Sequence, residues 1–254
     1  MGSKNRLSKH IKPIIQNFVD NSKGKYIEPF VGGANMIDKI ECESKIGVDN
    51  NQYLISLLTY VQEYGIGDFP TIITREHYNE VRDSYNKEDG KFPLSYIGYI
   101  GFMASYNGRF FDGGYSGHEV KEKGKDKPRD FIGQTITNFK NQINNLSDIE
   151  FIYSDYRELS NHVLLDGFVI YCDPPYKGTK KYNTSKDFDY EAFYDWCREM
   201  SKNNIVIVSE YNMPEDFECI WKKETKTNMM DTNNGKRKIN VEKLFILGLS
   251  LIHI

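Results

Sequence analysis

The chain has few cysteines, and no two of them are close in sequence. Cys42, Cys172, Cys197 and Cys219 make no CxxC pair and no Cys/His ligand spacing. A disulfide framework and a structural zinc site are therefore not expected, and reduced thiols in a cytoplasm are the plain reading. A surplus of charge is also missing. With a net charge of −3 the molecule is not a basic sponge for polyanions, so any such contact must come from local positive patches. No apolar run is long enough to cross a bilayer, and no signal-peptide pattern is present. The histidines (His10, His77, His118, His162 and His253) are scattered and form no nucleophile or metal constellation. The expectation is a soluble, cytoplasmic protein with no metal, no membrane contact and no evident obligate protein partner.

What the chain does have is core-forming material. Its 254 residues are 39% hydrophobic and include 18 Tyr and 15 Phe. That is enough for one substantial core with room for an inserted subdomain, and it argues against disorder. Leu7, Ile11, Ile14, Ile15 and Phe18 make a helical stripe over 7–20, with Pro13 near the first turn. Residues 25–30 read as a strand running into a glycine turn at 31–35. A second strand covers 45–48, and a helix starts near Gln52. This β-α-β-α opening implies a parallel sheet with crossover helices. From 62 to 147 the rhythm changes to helical stretches (75–86, 94–104, 131–146) around a Gly-rich, aromatic and charged middle. Strands return at 150–153, 168–172 and 204–209, with a helix over 188–202. Residues 217–226 and 238–247 read as a closing antiparallel pair. The expected fold is α/β: a Rossmann-like, doubly wound, mostly parallel seven-stranded sheet whose last hairpin is antiparallel. The expected domains are a catalytic domain at 1–61 and 148–248 and a mainly helical insertion at 62–147. The last residues, 249–254, read as a non-native tail.

Two places carry chemistry. Gly32-Gly33 follows the first strand, and glycine there lets the backbone approach a ligand closely. Asp49 ends the next strand, followed by Asn50, and a carboxylate at that place suits ribose hydroxyls. Alone, these fit a nucleoside pocket and an ordinary glycine turn about equally. The full GxGxxG fingerprint is absent, which argues against a dinucleotide. The second place is Asp173-Pro174-Pro175-Tyr176, directly after the apolar run 168–172. A given four-letter string arises by chance in a chain this long on the order of one time in a thousand.

The residue types suit chemistry on an aromatic amine. Such an amine is a poor nucleophile because its lone pair is delocalised into the ring. The Asp173 carboxylate and the Pro174 carbonyl can accept its two hydrogens and favour a more tetrahedral nitrogen. Pro174 and Pro175 stiffen the backbone that aims the carbonyl, and Tyr176 can stack on a base face. The bland alternative is a rigid turn.

Together these residues resemble the Dam-type family of adenine-specific DNA methyltransferases, class I enzymes dependent on S-adenosylmethionine, particularly phage and bacterial members. The resemblance covers about 1–247 and keeps the family's order: cofactor motif, recognition insertion, catalytic motif. It implies methyl transfer from S-adenosyl-L-methionine to N6 of a flipped-out adenine in double-stranded DNA. Gly2-Ser3-Lys4 resembles the family's leading cofactor segment, with Lys4 as the contact, although the aromatic that precedes it in the family is missing. Glu28-Pro29-Phe30-Val31-Gly32 resembles the family's Glu-Pro-Phe-x-Gly element; the next family glycine falls on Ala34, with Gly33 shifted in. Asp49 falls on the family's ribose acid. Ser154-Asp155-Tyr156 resembles the segment that meets the cofactor's adenine, with Asp155 as acceptor. By the same analogy Asp173 borders the cofactor's methionine end.

In the insertion, Tyr106-Asn107-Gly108 resembles the start of the Dam-type recognition hairpin. The aromatics from Tyr106 to Phe111 can wedge between bases, and Asn107 and Arg109 can contact phosphates or base edges. A Gly-rich surface loop over a small core is the alternative. From Arg109 onward the sequence departs from the Dam hairpin, so the target site is not carried over. Over 118–130, Lys121, Lys123, Lys125, Lys127 and Arg129 alternate with acids, which fits a solvated loop as well as a DNA clamp. Lys177, Lys180, Lys181 and Lys186 make a cleaner basic loop that can face phosphates. Cytosine-N4 methylation, RNA methylation and a DNA-binding relative that has lost catalysis stay open as alternatives. Asp at 173 and the order of segments favour adenine.

Overall fold

The computed structural model describes residues 4–121, 124, 127–177, 188–230 and 237–248, with backbone alone at 226–230 and 237–239. Gly2, Ser3, Lys123, Lys125, Lys180, Lys181, Lys186 and the tail 249–254 lie outside the described residues. Seven strands hydrogen-bond into one sheet: β1 (Lys25–Glu28), β2 (Ser44–Asp49), β3 (Ile149–Tyr153), β4 (Phe168–Cys172), β5 (Ile205–Glu210), β6 (Phe217–Met230) and β7 (Arg237–Leu247). Their order is β3-β2-β1-β4-β5-β7-β6, a mostly parallel sheet closed by an antiparallel hairpin. The expected fold class is what forms. The order reverses between β1 and β4, where ligands of doubly wound sheets bind beyond the strands' carboxyl ends. By contact density the chain divides into two compact units: Lys9–Phe30, Ile40–Ile46 and Asp155–Ile254; and Met1–Ser8, Val31–Lys39 and Gly47–Ser154.

The first of these units holds the centre of the sheet. β1 pairs parallel with β4 (Ile27 opposite Ile170), and β4 pairs parallel with β5 (Cys172 opposite Val208). All five residues of β4 are buried, which is why its sequence is a continuous apolar run with no alternation. β1 stops at Glu28, two residues before the end of the run that reads as strand, because Pro29 has no N–H for the ladder. The hairpin strands β6 and β7 extend beyond the expected bounds, and their pairing carries a register shift between Cys219 and Trp221. α1 (Ser8–Asp20) buries Ile11, Ile15 and Val19 at i, i+4 and i+8. Pro13 sits inside this helix on its solvent face. α6 (Tyr190–Met200) is capped by Asp189, whose side chain accepts from Ala192 N, and buries Phe193, Tyr194 and Cys197.

The other unit is mainly helical. α2 (Gln52–Tyr64) starts at Asn51, whose side chain accepts from Tyr53 N and Leu54 N. α3 (Arg75–Lys87) starts at Thr74 and α5 (Phe131–Ile143) at Asp130, each with its side chain capping the first turn. α4 (Leu94–Met103) is buried over most of its length. It lies so close to α2 that a Cβ at Gly98 would come within 2.2 Å of the Tyr53 carbonyl oxygen. An aromatic layer packs under the loop that follows α4. Phe110 lies 4.9 Å from Phe102, 5.2 Å from Tyr85 and 5.4 Å from Tyr53 between ring centroids. Phe111 stacks on Tyr85 at 5.4 Å.

Candidate active site

The tetrapeptide stands where the buried strand β4 ends. Pro174 is buried, and Asp173, Pro175 and Tyr176 are half-buried. The phenol of Tyr176 donates to Glu242 Oε2 on β7 at 2.9 Å and shares a 2.7 Å hydrogen bond with Ser209 Oγ on β5. Its ring meets Tyr211 edge-on, with centroids 4.7 Å apart. Burial, followed by the charges of Asp173 and Glu242, pushes the phenol well above the usual tyrosine range. The peptide that leaves the tetrapeptide is held as well. The buried Glu210 accepts from Lys177 N at 3.0 Å and from Tyr211 N at 2.6 Å. The Lys177 ammonium lies 5.6 Å from the ring centroids of both Tyr190 and Tyr194 and 3.5 Å from Glu191.

At the end of β1, Glu28 is buried and accepts from the Tyr26 phenol at 2.7 Å. Phe30, past Pro29, joins an aromatic cluster with Tyr156 (5.3 Å), Phe193 (5.6 Å) and Phe188 (5.9 Å). Tyr156 follows Asp155. Both Asp155 carboxylate oxygens accept from Arg157, at 2.8 and 3.1 Å, and the hydrogen bond from this guanidinium is the main cause of the carboxyl's lowered pKa.

In the helical unit, the glycine turn is built around Asp49. Asp49 Oδ2 accepts from Gly32 N and Oδ1 from Asn51 N, each at 3.0 Å. Desolvation pushes the Asp49 carboxyl up to about 6 against the pull of these two N–H donors. Gly32 has φ +49°, a conformation glycine adopts without strain. Ala34 takes the same left-handed region at φ +54°. Gln142, from α5, donates to the carbonyls of Gly33 and Ala34 at 3.0 Å. Asn50 is exposed, and Lys4 is buried in a 3-10 turn.

The loop after α4 closes through the Ser105 and Tyr115 bridge and through Tyr106 N donating to Gly114 O at 2.9 Å. Tyr106 and Asn107 are exposed at its tip, Arg109 is half-buried, and Asn107 is left-handed at φ 55°. Phe110 and Phe111 turn inward to the aromatic layer, which leaves Tyr106 as the loop's outward ring.

The profile of the D12 class N6 adenine-specific DNA methyltransferases matches residues 1–214. The chain belongs to this family. Two curated relatives are type II methyltransferases. M.FokI of Planomicrobium okeanokoites is 23% identical over 84% of this chain and 33% of its own length. M.MjaIII of Methanocaldococcus jannaschii is 25% identical over 88% of each. The chain thus spans about a third of M.FokI and most of M.MjaIII. A solved rRNA methyltransferase, aviRa from Streptomyces viridochromogenes, aligns over 98% of this chain and 86% of its own, at 7% identity and a TM-score of 0.39.

This D12-class chain thus carries Phe30, Tyr156 and the tetrapeptide in one unit and Lys4, Gly32, Gly33, Asp49, Asn50, Tyr106, Asn107 and Arg109 in the other. The sequence reading missed the residues that fix these positions. Asn51 had a local signal, since it is an Asn just before a helix. Gln142, Ser209, Glu210 and Glu242 had none, because the partners through which they reach the tetrapeptide or the glycine turn lie 33 or more residues away. No helix among the described residues is long and apolar enough to cross a membrane, and no metal-ligand cluster occurs among them.

Proposed function

We propose that this chain transfers a methyl group from S-adenosyl-L-methionine to the N6 amino group of an adenine flipped out of duplex DNA. The observation that carries this reading is Asp173-Pro174-Pro175-Tyr176 at the carboxyl end of β4, in a chain of the D12 class. A stacked base cannot present its amino group to such a site, so it leaves the stack first. Asp173 accepts one N6 hydrogen and the Pro174 carbonyl accepts the other. Both withdraw the nitrogen lone pair from conjugation and aim it at the incoming methyl. The extra proton on nitrogen is lost on the Asp173 side, where an acceptor is already in place. No covalent enzyme intermediate is required, so the rate gain comes from positioning and electrostatics.

The cofactor, when bound, supplies an electrophilic methyl on a sulfonium sulfur. The donor set suits it. Each Asp49 oxygen keeps a lone pair beyond its backbone N–H bond and accepts a ribose hydroxyl. Gly32 and Gly33 leave room for close approach. Lys4, Glu28, Pro29, Phe30, Asn50, Asp155 and Tyr156 complete the cofactor-binding assignment, with Arg157 orienting Asp155. We place DNA reading in 62–147, with Tyr106, Asn107 and Arg109 as contacts and Lys177 facing phosphate. Lys180 and Lys181 keep the same assigned role from sequence alone.

The deciding experiment uses labelled S-adenosylmethionine and unmethylated duplex DNA, followed by digestion to nucleosides. Label is expected in N6-methyldeoxyadenosine. Label in N4-methyldeoxycytidine, or no transfer despite cofactor binding, refutes the reading. Asp173→Ala should lower transfer by at least about a hundredfold, the scale of losing a preorganised polar group at the reacting atom. Cofactor binding should survive at least in part.

A further inference from the structure

The tetrapeptide's tyrosine is tied down by residues that belong to none of the assigned motifs. Antiparallel register sets Ser209 of β5 opposite Leu244 of β7. Directly opposed residues share a face, and so do residues two apart on one strand. Asn240, Glu242 and Leu244 therefore lie on the face of the sheet that carries Ser209. Two hydrogen bonds from this face reach two tyrosines. Glu242 accepts from the Tyr176 phenol at 2.9 Å, and Asn240 Nδ2 donates to the Tyr211 phenol at 2.8 Å. The two rings then meet edge-on, 4.7 Å between centroids.

The hydrogens can be assigned. A phenol has one proton, and Glu242 takes it because a bond to a carboxylate is the stronger one. Ser209 Oγ, 2.7 Å away, then donates to the phenol oxygen. The ring is held at its tip by two strands and at its side by a second anchored ring. An aromatic side chain held only at its backbone would keep its χ freedom. This one has little left.

We propose that Glu242, together with Ser209, is a positioning residue that fixes the Tyr176 ring for the flipped base. The inference rests on the methyltransferase reading. Neither Glu242 nor Ser209 needs to touch the base or the cofactor; both act through Tyr176. Losing a hydrogen bond to a charged group that matters fully in the transition state lowers the rate about ten- to hundredfold.

The test compares wild type with Glu242→Ala, Glu242→Gln, Tyr176→Phe and the double variant Glu242→Ala/Tyr176→Phe. The readouts are single-turnover transfer to duplex DNA, cofactor affinity by calorimetry and thermal midpoint. Glu242→Ala and Tyr176→Phe should each slow transfer about ten- to hundredfold with cofactor affinity within about twofold of wild type. Glu242→Gln, which keeps an acceptor oxygen, should recover most of the rate. The double variant should be no slower than the worse single one, because both remove the same bond. Additive losses, or a Glu242→Ala rate equal to wild type, overturn the inference. If Glu242→Ala does not fold, Tyr176→Phe decides: unchanged transfer overturns the inference, and slowed transfer with intact cofactor affinity supports it. A wild-type protein that labels no adenine overturns the methyltransferase reading and this inference with it. An active wild type with indifferent variants overturns the inference alone.

Discussion

Lowering the pH from 7 to 5 should weaken cofactor binding about tenfold, and Asp49 should be the reason. Its carboxyl titrates near 6 because desolvation outweighs the N–H bonds from Gly32 and Asn51. Only the ionised form offers two acceptor oxygens; the protonated form spends one of them as a donor. If ribose hydroxyls need both, the competent fraction is the ionised fraction. With a pKa of about 6 that fraction is roughly nine-tenths at pH 7 and one-tenth at pH 5. Apparent affinity scales with it, which gives the factor of about ten.

The apo protein should move the other way. The folded-state pKa of Asp49 lies above its ordinary 3.8, so folding takes up a proton between the two values. The group's contribution to stability is full below about 4 and is lost as the pH rises through 6. The ceiling on this effect is about 3 kcal/mol. Asp49 is only half-buried, and solvent screening brings the figure to about 1–2 kcal/mol. Asp49→Asn removes the titration. It also leaves one of the two backbone N–H groups without an acceptor, at about 1 kcal/mol. Titration calorimetry and thermal melts at pH 7, 6 and 5 on both proteins check this. The wild-type minus variant difference should show affinity falling and apo stability rising toward pH 5. A wild-type affinity that is flat from 7 to 5, or an equal slope in Asp49→Asn, refutes the assignment.

Gly98→Ala should destabilise the protein by about 2 kcal/mol. The new methyl meets the Tyr53 carbonyl at 2.2 Å, and backbone cannot rotate away as a side chain would. Because the neighbour is backbone, the overpacking cost lies near the upper end of the usual range of about 1–3 kcal/mol, and subtracting a helix-propensity gain of up to about 1 kcal/mol leaves a net loss of about 2 kcal/mol. A thermal midpoint unchanged or raised would show that α4 and α2 separate freely. Phe110→Ala should cost about 3 kcal/mol in a denaturant melt, since its ring packs against Phe102, Tyr85 and Tyr53. Tyr106→Ala should stay within about 0.5 kcal/mol of wild type in stability while weakening duplex binding in a titration. The reverse pattern would mean that the loop's buried and outward rings have been mistaken for one another.

The strands and helices were legible because their signals are local. β4 is a continuous apolar run stopped by prolines, and α2, α3 and α5 each begin at an Asn, Thr or Asp that caps the first turn. Asp173 and Asp49 were legible for the same reason, since each directly follows or ends a strand. The two phenylalanines after Arg109 show the limit. Sequence places Tyr106, Phe110 and Phe111 in one Gly-rich stretch and gives no sign that two face inward. Their direction depends on Tyr53, Tyr85 and Phe102, which lie on other helices. The same limit hides the residues that hold the proposed site residues still. Gln142 reaches the glycine turn from 108 residues away, and Glu242 reaches Tyr176 from 66. For Glu242 the difficulty is register. Sliding β7 by one residue against β5 would turn Glu242 to the opposite face and bring Lys243 to the phenol's side. Every sequence motif would survive that slip, yet the acceptor for the Tyr176 proton would be replaced by a donor. The motifs therefore specify which groups the proposed reaction would use, and the strand register of the closing hairpin specifies whether the tyrosine among them is held.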